Sequence, residues 1–272
     1  REEIMAKKYN RLLLTGAAGS LGTQLRPMLS EYANHVRLND RTDVSDCASH
    51  EEFVKADLAD MDAMIALTKD VDVVVHMGGQ SREGSWENVL NSNIIGMYNL
   101  YEGCRKNGVK RVIWASSVHT IGFYPRTEVV DANSPVRPDS NYGVSKVYGE
   151  AQAQYYWDKY GIESVSIRIY SCFPEPLDRR MLTTWLSFDD LRRLMGRCLW
   201  APSVRHTIIY GASDNTSVLI NNHKAAHIGF HPQDNAEIYR EKVEANTPEP
   251  DPKGGVIGLH GGQFTVDMHF DD

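Results

Sequence analysis

Arg11-Leu-Leu-Leu-Thr-Gly-Ala-Ala-Gly-Ser-Leu-Gly-Thr-Gln-Leu25 packs an apolar run, a glycine-spaced turn and the start of a helical pattern into fifteen residues. The run from Arg11 to Thr15 reads as a first strand, and Ser20 to Tyr32 as the helix that follows it. Between them Gly16, Gly19 and Gly22 form G-x-x-G-x-x-G. As a bare string this is weak, because three turn glycines are often there for packing alone. Directly after a strand and at the start of a helix it gains meaning. Glycines there allow a tight turn and close approach of backbone to a pyrophosphate, and the helix N-terminus offers unpaired N–H groups. Gly16, Gly19, Ser20, Leu21 and Gly22 are therefore candidate dinucleotide contacts.

Outward from this stretch, short apolar runs keep alternating with helical patterns. His35 to Asn39 and Phe53 to Ala56 read as strands and Asp60 to Lys69 as a helix. Val71 to His76 is β-branched with no polar alternation, as in a parallel strand buried on both faces. Glu87 to Lys106 and Tyr142 to Tyr160 read as long helices, with strands at Arg111 to Ala115 and Ser164 to Ile169. The alternation predicts an α/β fold, a doubly wound parallel sheet of the Rossmann type with right-handed crossovers. After Ile169 the pieces shorten to a helix from Ser187 to Trp200, a strand from Thr207 to Tyr210 and a helix from Asn235 to Ala245. Gly254 to Gly262 predicts loop rather than regular helix. Residues 8–180 are read as the dinucleotide-binding domain, and 181–272 as a smaller lobe that is not an independent domain.

The chain has 272 residues, with 29 Lys+Arg against 36 Asp+Glu for a net charge of −7. That balance argues against nucleic acid as a partner. With 42% apolar and 24% charged residues the composition is that of a globular protein and excludes the disordered class. No apolar stretch nears the roughly 18 residues of a membrane span. The charged segment Arg1 to Arg11 lacks the apolar core of a secretory signal, which predicts a cytoplasmic protein, and Met5 reads as the native start. Cys47, Cys104, Cys172 and Cys198 lie far apart with no C-x-x-C, so reduced thiols are expected, and no metal site. His206, His223, His227 and His231 lack ligand spacing. Met61, Met64 and Leu67, like Leu191, Leu194, Cys198 and Leu199, read as core faces.

Asp40 lies 24 residues past Gly16, near the offset at which a carboxylate takes the adenosine ribose hydroxyls. It disfavours a 2′-phosphate and so favours NAD over NADP; Arg41, beside it, reads as an exposed cation. Asp57 and Leu58 are placed to meet the adenine, with a solvated turn aspartate as the alternative, and Gly78 follows a strand where backbone would pass close to the cofactor, or is a turn glycine. Tyr142 and Lys146 form Y-x-x-x-K, which on a helix puts both on one face. An ammonium beside a phenol favours the phenolate, making Tyr142 a general base near neutral pH. Ser117, after the fifth strand, could hydrogen-bond the same substrate oxygen.

The glycine turn, the serine and Y-x-x-x-K together resemble the extended short-chain dehydrogenases/reductases. The longer strings Asn93 to Glu102, Ala115 to Pro125, Ser171 to Pro176 and Arg180 to Trp185 resemble, more closely, NAD-dependent uronate dehydrogenase. The resemblance implies oxidation of C1 of a cyclic glucuronate or galacturonate to an aldarolactone. Tyr142 would be the base, Lys146 would hold the nicotinamide ribose, and Ser117 would orient the hydroxyl. Asn93 would support a water relay, with a buried helix-to-helix amide as its alternative. Ser81, Val118, His119, Ser171 and Arg180 would line the sugar pocket, Arg180 gripping the carboxylate. The resemblance further implies a homo-oligomer paired through the two long helices. Val118 replaces the family's usual Asn, Tyr170 a Gly, and Val218 to Ile220 a stretch with paired tryptophans. These departures leave open an aldose 1-dehydrogenase with another sugar preference. A nucleotide-sugar epimerase ranks lower for want of a basic cluster after the sixth strand, and an NAD-keeping redox sensor is disfavoured by the intact Tyr142, Lys146 and Ser117.

Overall fold

The computed structural model describes residues 7–251 and 254–272, so Met5 lies outside the described residues. Seven strands form one parallel sheet: β1 (Tyr9–Thr15), β2 (Ala33–Asp40), β3 (Glu51–Lys55), β4 (Val73–His76), β5 (Arg111–Ser117), then Glu163–Ile169 and His206–Gly211. Their spatial order runs His206–Gly211, Glu163–Ile169, β5, β4, β1, β2, β3, and every neighbouring pair is parallel. The order reverses between β1 and β4, which opens a crevice at their carboxyl ends. The seventh strand comes from the segment after residue 180, so that segment completes the sheet.

Alternation along the strands explains why both faces are covered. Leu12 and Leu14 of β1 join Val73, Val75 and Ile113 on one face, packed with Leu191, Leu194, Cys198 and Leu199 of the helix Phe188–Trp200. Leu13, Val74, Val112 and Trp114 point the other way, onto Met64, Leu67, Leu100, Tyr101 and Tyr156. The helices on that second face are α2 (Met61–Leu67), α4 (Gly96–Asn107) and α5 (Asn141–Tyr160). Asp60 caps α2 by accepting from Ala63 N at 3.0 Å. Among the described residues no helix is long and apolar enough to cross a membrane, and all four cysteines are free.

Several boundaries differ from the sequence expectation for identifiable reasons. The helix expected from Ser20 to Tyr32 is α-helical only over α1 (Ser20–Leu25) and continues as a 3₁₀ turn over Arg26–Glu31. Pro27 lacks the N–H that an α-helical bond needs, and its ring crowds the preceding turn. The long helix expected from Glu87 starts at α3 (Trp86–Val89) and passes through a π-helical segment, Leu90–Ile95, before α4. The third strand is Glu51–Lys55, starting two residues and ending one residue earlier than read. The segment expected as a helix from Asn235 is a 3₁₀ turn, Ala236–Tyr239, followed by an α-helix, Arg240–Asn246. Gly255–Gly258, expected as loop, forms a single helical turn. Two short parallel pairs not anticipated, Val130–Asp131 with Ile220–Asn221 and Ser171–Cys172 with Trp185–Leu186, tie the last third of the chain to the sheet's carboxyl edge.

Candidate active site

The crevice at the carboxyl ends of β1 and β4 widens into a cleft of about 490 Å³. Gly16, with φ +71°, starts its floor. A Cβ on Gly16 would lie 2.6 Å from Gly78 N, so the loops after β1 and β4 pass in backbone contact. A Cβ on Gly22 would overlap the Gly16 carbonyl oxygen, so the first turn of α1 rests directly on the glycine loop. Gly19 caps α1 with no side-chain hydrogen bond and no acidic residue follows in its first turn, which leaves free N–H groups at the cleft. Thr15 supports the crossing, its Oγ1 lying 2.6 Å from His76 Nδ1 and accepting from Gly78 N at 3.2 Å. Burial holds the His76 imidazole neutral, lowering it to about 3, with the nearby Lys146 adding to the shift.

Asp40 ends β2 at the cleft wall. Its Oδ2 accepts from Ala18 N and its Oδ1 from Thr42 N, both at 3.0 Å, which fixes the carboxylate while lone pairs remain for further donors. Asn39, which the sequence reading passed over, pins the neighbouring turn by donating to Val54 O and Ala56 O. Asp57 and Leu58 line the same wall, and Arg41 reaches Asp57 only as an exposed 3.9 Å pair. Backbone that could not tolerate a Cβ, a free helix N-terminus and a fixed carboxylate at the β2 end fit a dinucleotide with an unsubstituted adenosine ribose.

At the far end of the cleft Ser117, His119, Tyr142 and Lys146 meet, and Ser81 also lines it. Helix α5 brings Tyr142 and Lys146 to one face; Ser140 caps it through Gly143 N at 3.0 Å and Glu83 accepts from Tyr142 N at 2.7 Å. Lys146 Nζ donates to Ala115 O at 2.8 Å and stands 5.3 Å from the centre of the Tyr142 ring. The sequence expectation that the ammonium makes the phenol acidic is corrected here. Burial raises Tyr142 to about 12, the Ser117 hydroxyl pulls it partly back, and the Asp139 charge raises it further. Burial likewise lowers Lys146 to about 8.

Other expected pocket residues stand elsewhere. Val118 does not line the cleft and is buried in a small apolar cluster with Ile121, Val130 and Tyr210, where a valine fits. Ser171 and Arg180 do not line the cleft. Arg180 Nη2 donates to His260 O, Nη1 donates to Ser171 Oγ at 3.3 Å, and Nε is buried without a partner among the described residues. The loop of the chain's last turns, with Gly262 against the guanidinium, and the bulky Tyr170 at the cleft wall account for this. The Tyr170 hydroxyl lies 2.7 Å from His260 Nδ1. Asn93, in the π-helical segment, accepts from Gln80 N at 2.8 Å and donates to Gln80 O and Ser145 Oγ at 3.0 Å. Both its N–H groups are engaged within the protein, the arrangement of a helix-to-loop amide. Sequence reasoning missed Gln80 and Arg82 on the rim, Asp139 behind His119, and Phe264 stacked on it. Only Asp139 left a signal, lying next to the Ser140 cap of the Y-x-x-x-K helix.

Comparison with known proteins agrees with this geometry. Residues 12–187 match the NAD dependent epimerase/dehydratase family. A uronate dehydrogenase of Pseudomonas putida is 52% identical, covering 95% of this chain and 96% of that one. The solved glucuronic acid dehydrogenase of Chromohalobacter salexigens superposes with a TM-score of 0.95 at 49% identity over 97% of this chain and 99% of that one. A tyrosine-to-alanine mutant of the Agrobacterium tumefaciens uronate dehydrogenase, solved in complex with NAD, matches at TM-score 0.93 and 43% identity over 96% of this chain and 99% of that one. The strand order, the glycine crossing and the Ser117, Tyr142 and Lys146 grouping, together with these similarities, lead to one assignment: the chain belongs to the uronate dehydrogenases of the NAD dependent epimerase/dehydratase family.

Proposed function

We propose that the chain oxidises the C1 hemiacetal of a hexuronate, glucuronate or galacturonate, to the aldarolactone with NAD as oxidant. The observation that carries this reading is the convergence of Ser117, Tyr142 and Lys146 at one end of a cleft whose other end fits a dinucleotide. Ser117 orients the C1 hydroxyl by hydrogen bonding. Tyr142 takes its proton as the C1–H bond breaks and the C1=O bond forms. Bound in the cleft, NAD supplies the acceptor for the hydride leaving C1. Lys146 holds positive charge near the developing phenolate; its bond to Ala115 O keeps it at the junction of β5 and α5. The substrate class follows that of relatives at about half identity.

Arg180 is the group we assign to the substrate carboxylate. A half-buried guanidinium with no carboxylate partner among the described residues and a buried, orphaned Nε calls for an anion. Binding then exchanges its bond to His260 O for the carboxylate. A second reading, oxidation of a neutral aldose at C1, is favoured by one observation: Arg180 does not line the cleft and is bonded to His260 O, while Tyr170, which does line it, bonds the His260 ring. The uronate dehydrogenase reading also includes a homo-oligomer paired through α4 and α5, whose outer faces expose Tyr98, Val144 and Tyr155; a monomer mass in light scattering contradicts that part.

The experiment that tests the reaction uses glucuronate deuterated at C1. The account expects one reduced, deuterium-bearing cofactor per lactone formed, followed by nuclear magnetic resonance. A product oxidised at any other carbon contradicts it.

A further inference from the structure

Asp139 is a fully buried carboxylate that no step above uses. Its Oδ2 meets His119 Nδ1 at 2.8 Å, and its Oδ1 accepts from Ser140 Oγ at 2.8 Å. Glycines make room for it: a Cβ on Gly122 or on Gly261 would overlap Oδ2, and one on Gly143 would press on Oδ1 at 3.3 Å. They come from three separate segments: the turn after β5, the carboxyl-terminal loop and the first turn of α5.

The His119 ring held by this carboxylate is fixed on its flat side too. It stacks on Phe264 with centroids 3.9 Å apart and planes at 16°, and turns its edge to Tyr142 at 5.6 Å and 71°. Its Nε2 has no protein partner among the described residues, and the residue lines the cleft beside Ser117 and Tyr142. An ionised carboxylate only accepts hydrogen bonds, so the nitrogen facing it must carry a proton. In the neutral imidazole the other nitrogen then carries the lone pair.

We propose that Asp139 is a positioning residue that holds His119 as the Nδ1–H tautomer, so that Nε2 accepts a hydrogen bond from a substrate hydroxyl next to the Tyr142 phenol. The proposal deepens, and rests on, the reading of the cleft as a sugar dehydrogenase site. It makes the contact selective in sign: an acceptor there welcomes a ring hydroxyl and repels a carboxylate oxygen. Phe264 gives the carboxyl-terminal loop a direct part in setting that angle.

Asp139→Asn is the test variant, because it keeps the size that the glycines allow. Its amide offers an N–H to the ring, which favours the Nε2–H tautomer and turns the cleft-facing acceptor into a donor. We expect kcat/KM for glucuronate to fall about 10- to 100-fold, the loss of one hydrogen bond with a group left unpaired, while the NAD dissociation constant stays nearly unchanged. Nitrogen-15 shifts of the His119 ring give a readout that a merely structural role would not move. The wild type is expected to show Nδ1 protonated and Nε2 bare, and the variant the reverse. A variant that oxidises glucuronate as the wild type does overturns the proposal while leaving the assigned reaction standing. A wild-type ring protonated only on Nε2 overturns it whether or not the protein turns over uronates, and decides the matter even if the variant does not fold. Absence of turnover by the wild type, with the expected tautomer present, counts against the assigned reaction and supports the Asp139 role.

Discussion

Lys146 Nζ stands 5.3 Å from the centre of the Tyr142 ring, yet it gives its hydrogen bond to Ala115 O at 2.8 Å and not to the phenol. The pair is thus arranged face-on, and both partners are shifted by burial toward their neutral forms, Tyr142 to about 12 and Lys146 to about 8. Burial thus holds the phenol in its protonated form near neutral pH.

Tyr142→Phe is therefore expected to lower kcat by roughly 10²- to 10⁴-fold, the range of general-base catalysis, with NAD affinity almost unchanged. Rapid-mixing kinetics alongside calorimetric titration of NAD separate the two effects.

The acid limb of kcat/KM is expected to lie on the alkaline side of neutrality, because Tyr142 must lose its proton and is held above its ordinary value of 10.0. Below that limb the rate rises about tenfold per pH unit, following the fraction of ionised base. Lys146→Met removes the ammonium and is expected to move the limb to still higher pH; a limb that stays put assigns no electrostatic part to Lys146.

Gly22→Ala is expected to weaken NAD binding and lower the unfolding midpoint, since its new methyl group meets the Gly16 carbonyl, backbone that cannot turn aside. Overpacking of this kind costs about 1–3 kcal/mol. Asp40→Ala is expected to leave stability largely intact and narrow the preference for NAD over NADP, read as a ratio of dissociation constants.

These site elements were legible in the chain to different degrees. The glycine turn, Val73–His76 and the Y-x-x-x-K helix announce themselves through local pattern, and their places in the sheet follow from alternation. Asp139 with Phe264 and Arg180 with His260 are partnerships across the fold that periodicity cannot convey. The wrong sign for the Tyr142 shift has the same origin. Spacing brought an ammonium near, but only the packed structure reveals how deeply both groups are buried. The π-helical segment holding Asn93 was hidden because its residues read as ordinary helix.

Acid sensitivity follows from two buried imidazoles. Burial lowers His260 to about 4 and His76 to about 3, below the ordinary value of 6.5, so unfolded chains bind protons first as pH falls. The stability they contribute is complete above about pH 6.5 and is lost progressively toward pH 4 and 3. Urea midpoints at pH 7.5, 5.5 and 4.5 are expected to decline, and less steeply in His260→Gln. Equal declines in the two proteins remove His260 from the account.

The most direct test compares acidic with neutral sugars. Initial rates of NADH formation are measured on glucuronate, galacturonate, glucose and galactose, for the wild type and for Arg180→Ala. The account predicts that the uronates far exceed their neutral counterparts in kcat/KM, and that Arg180→Ala erases most of that margin by raising KM for the acids. Comparable rates on glucose and glucuronate in the wild type would contradict it.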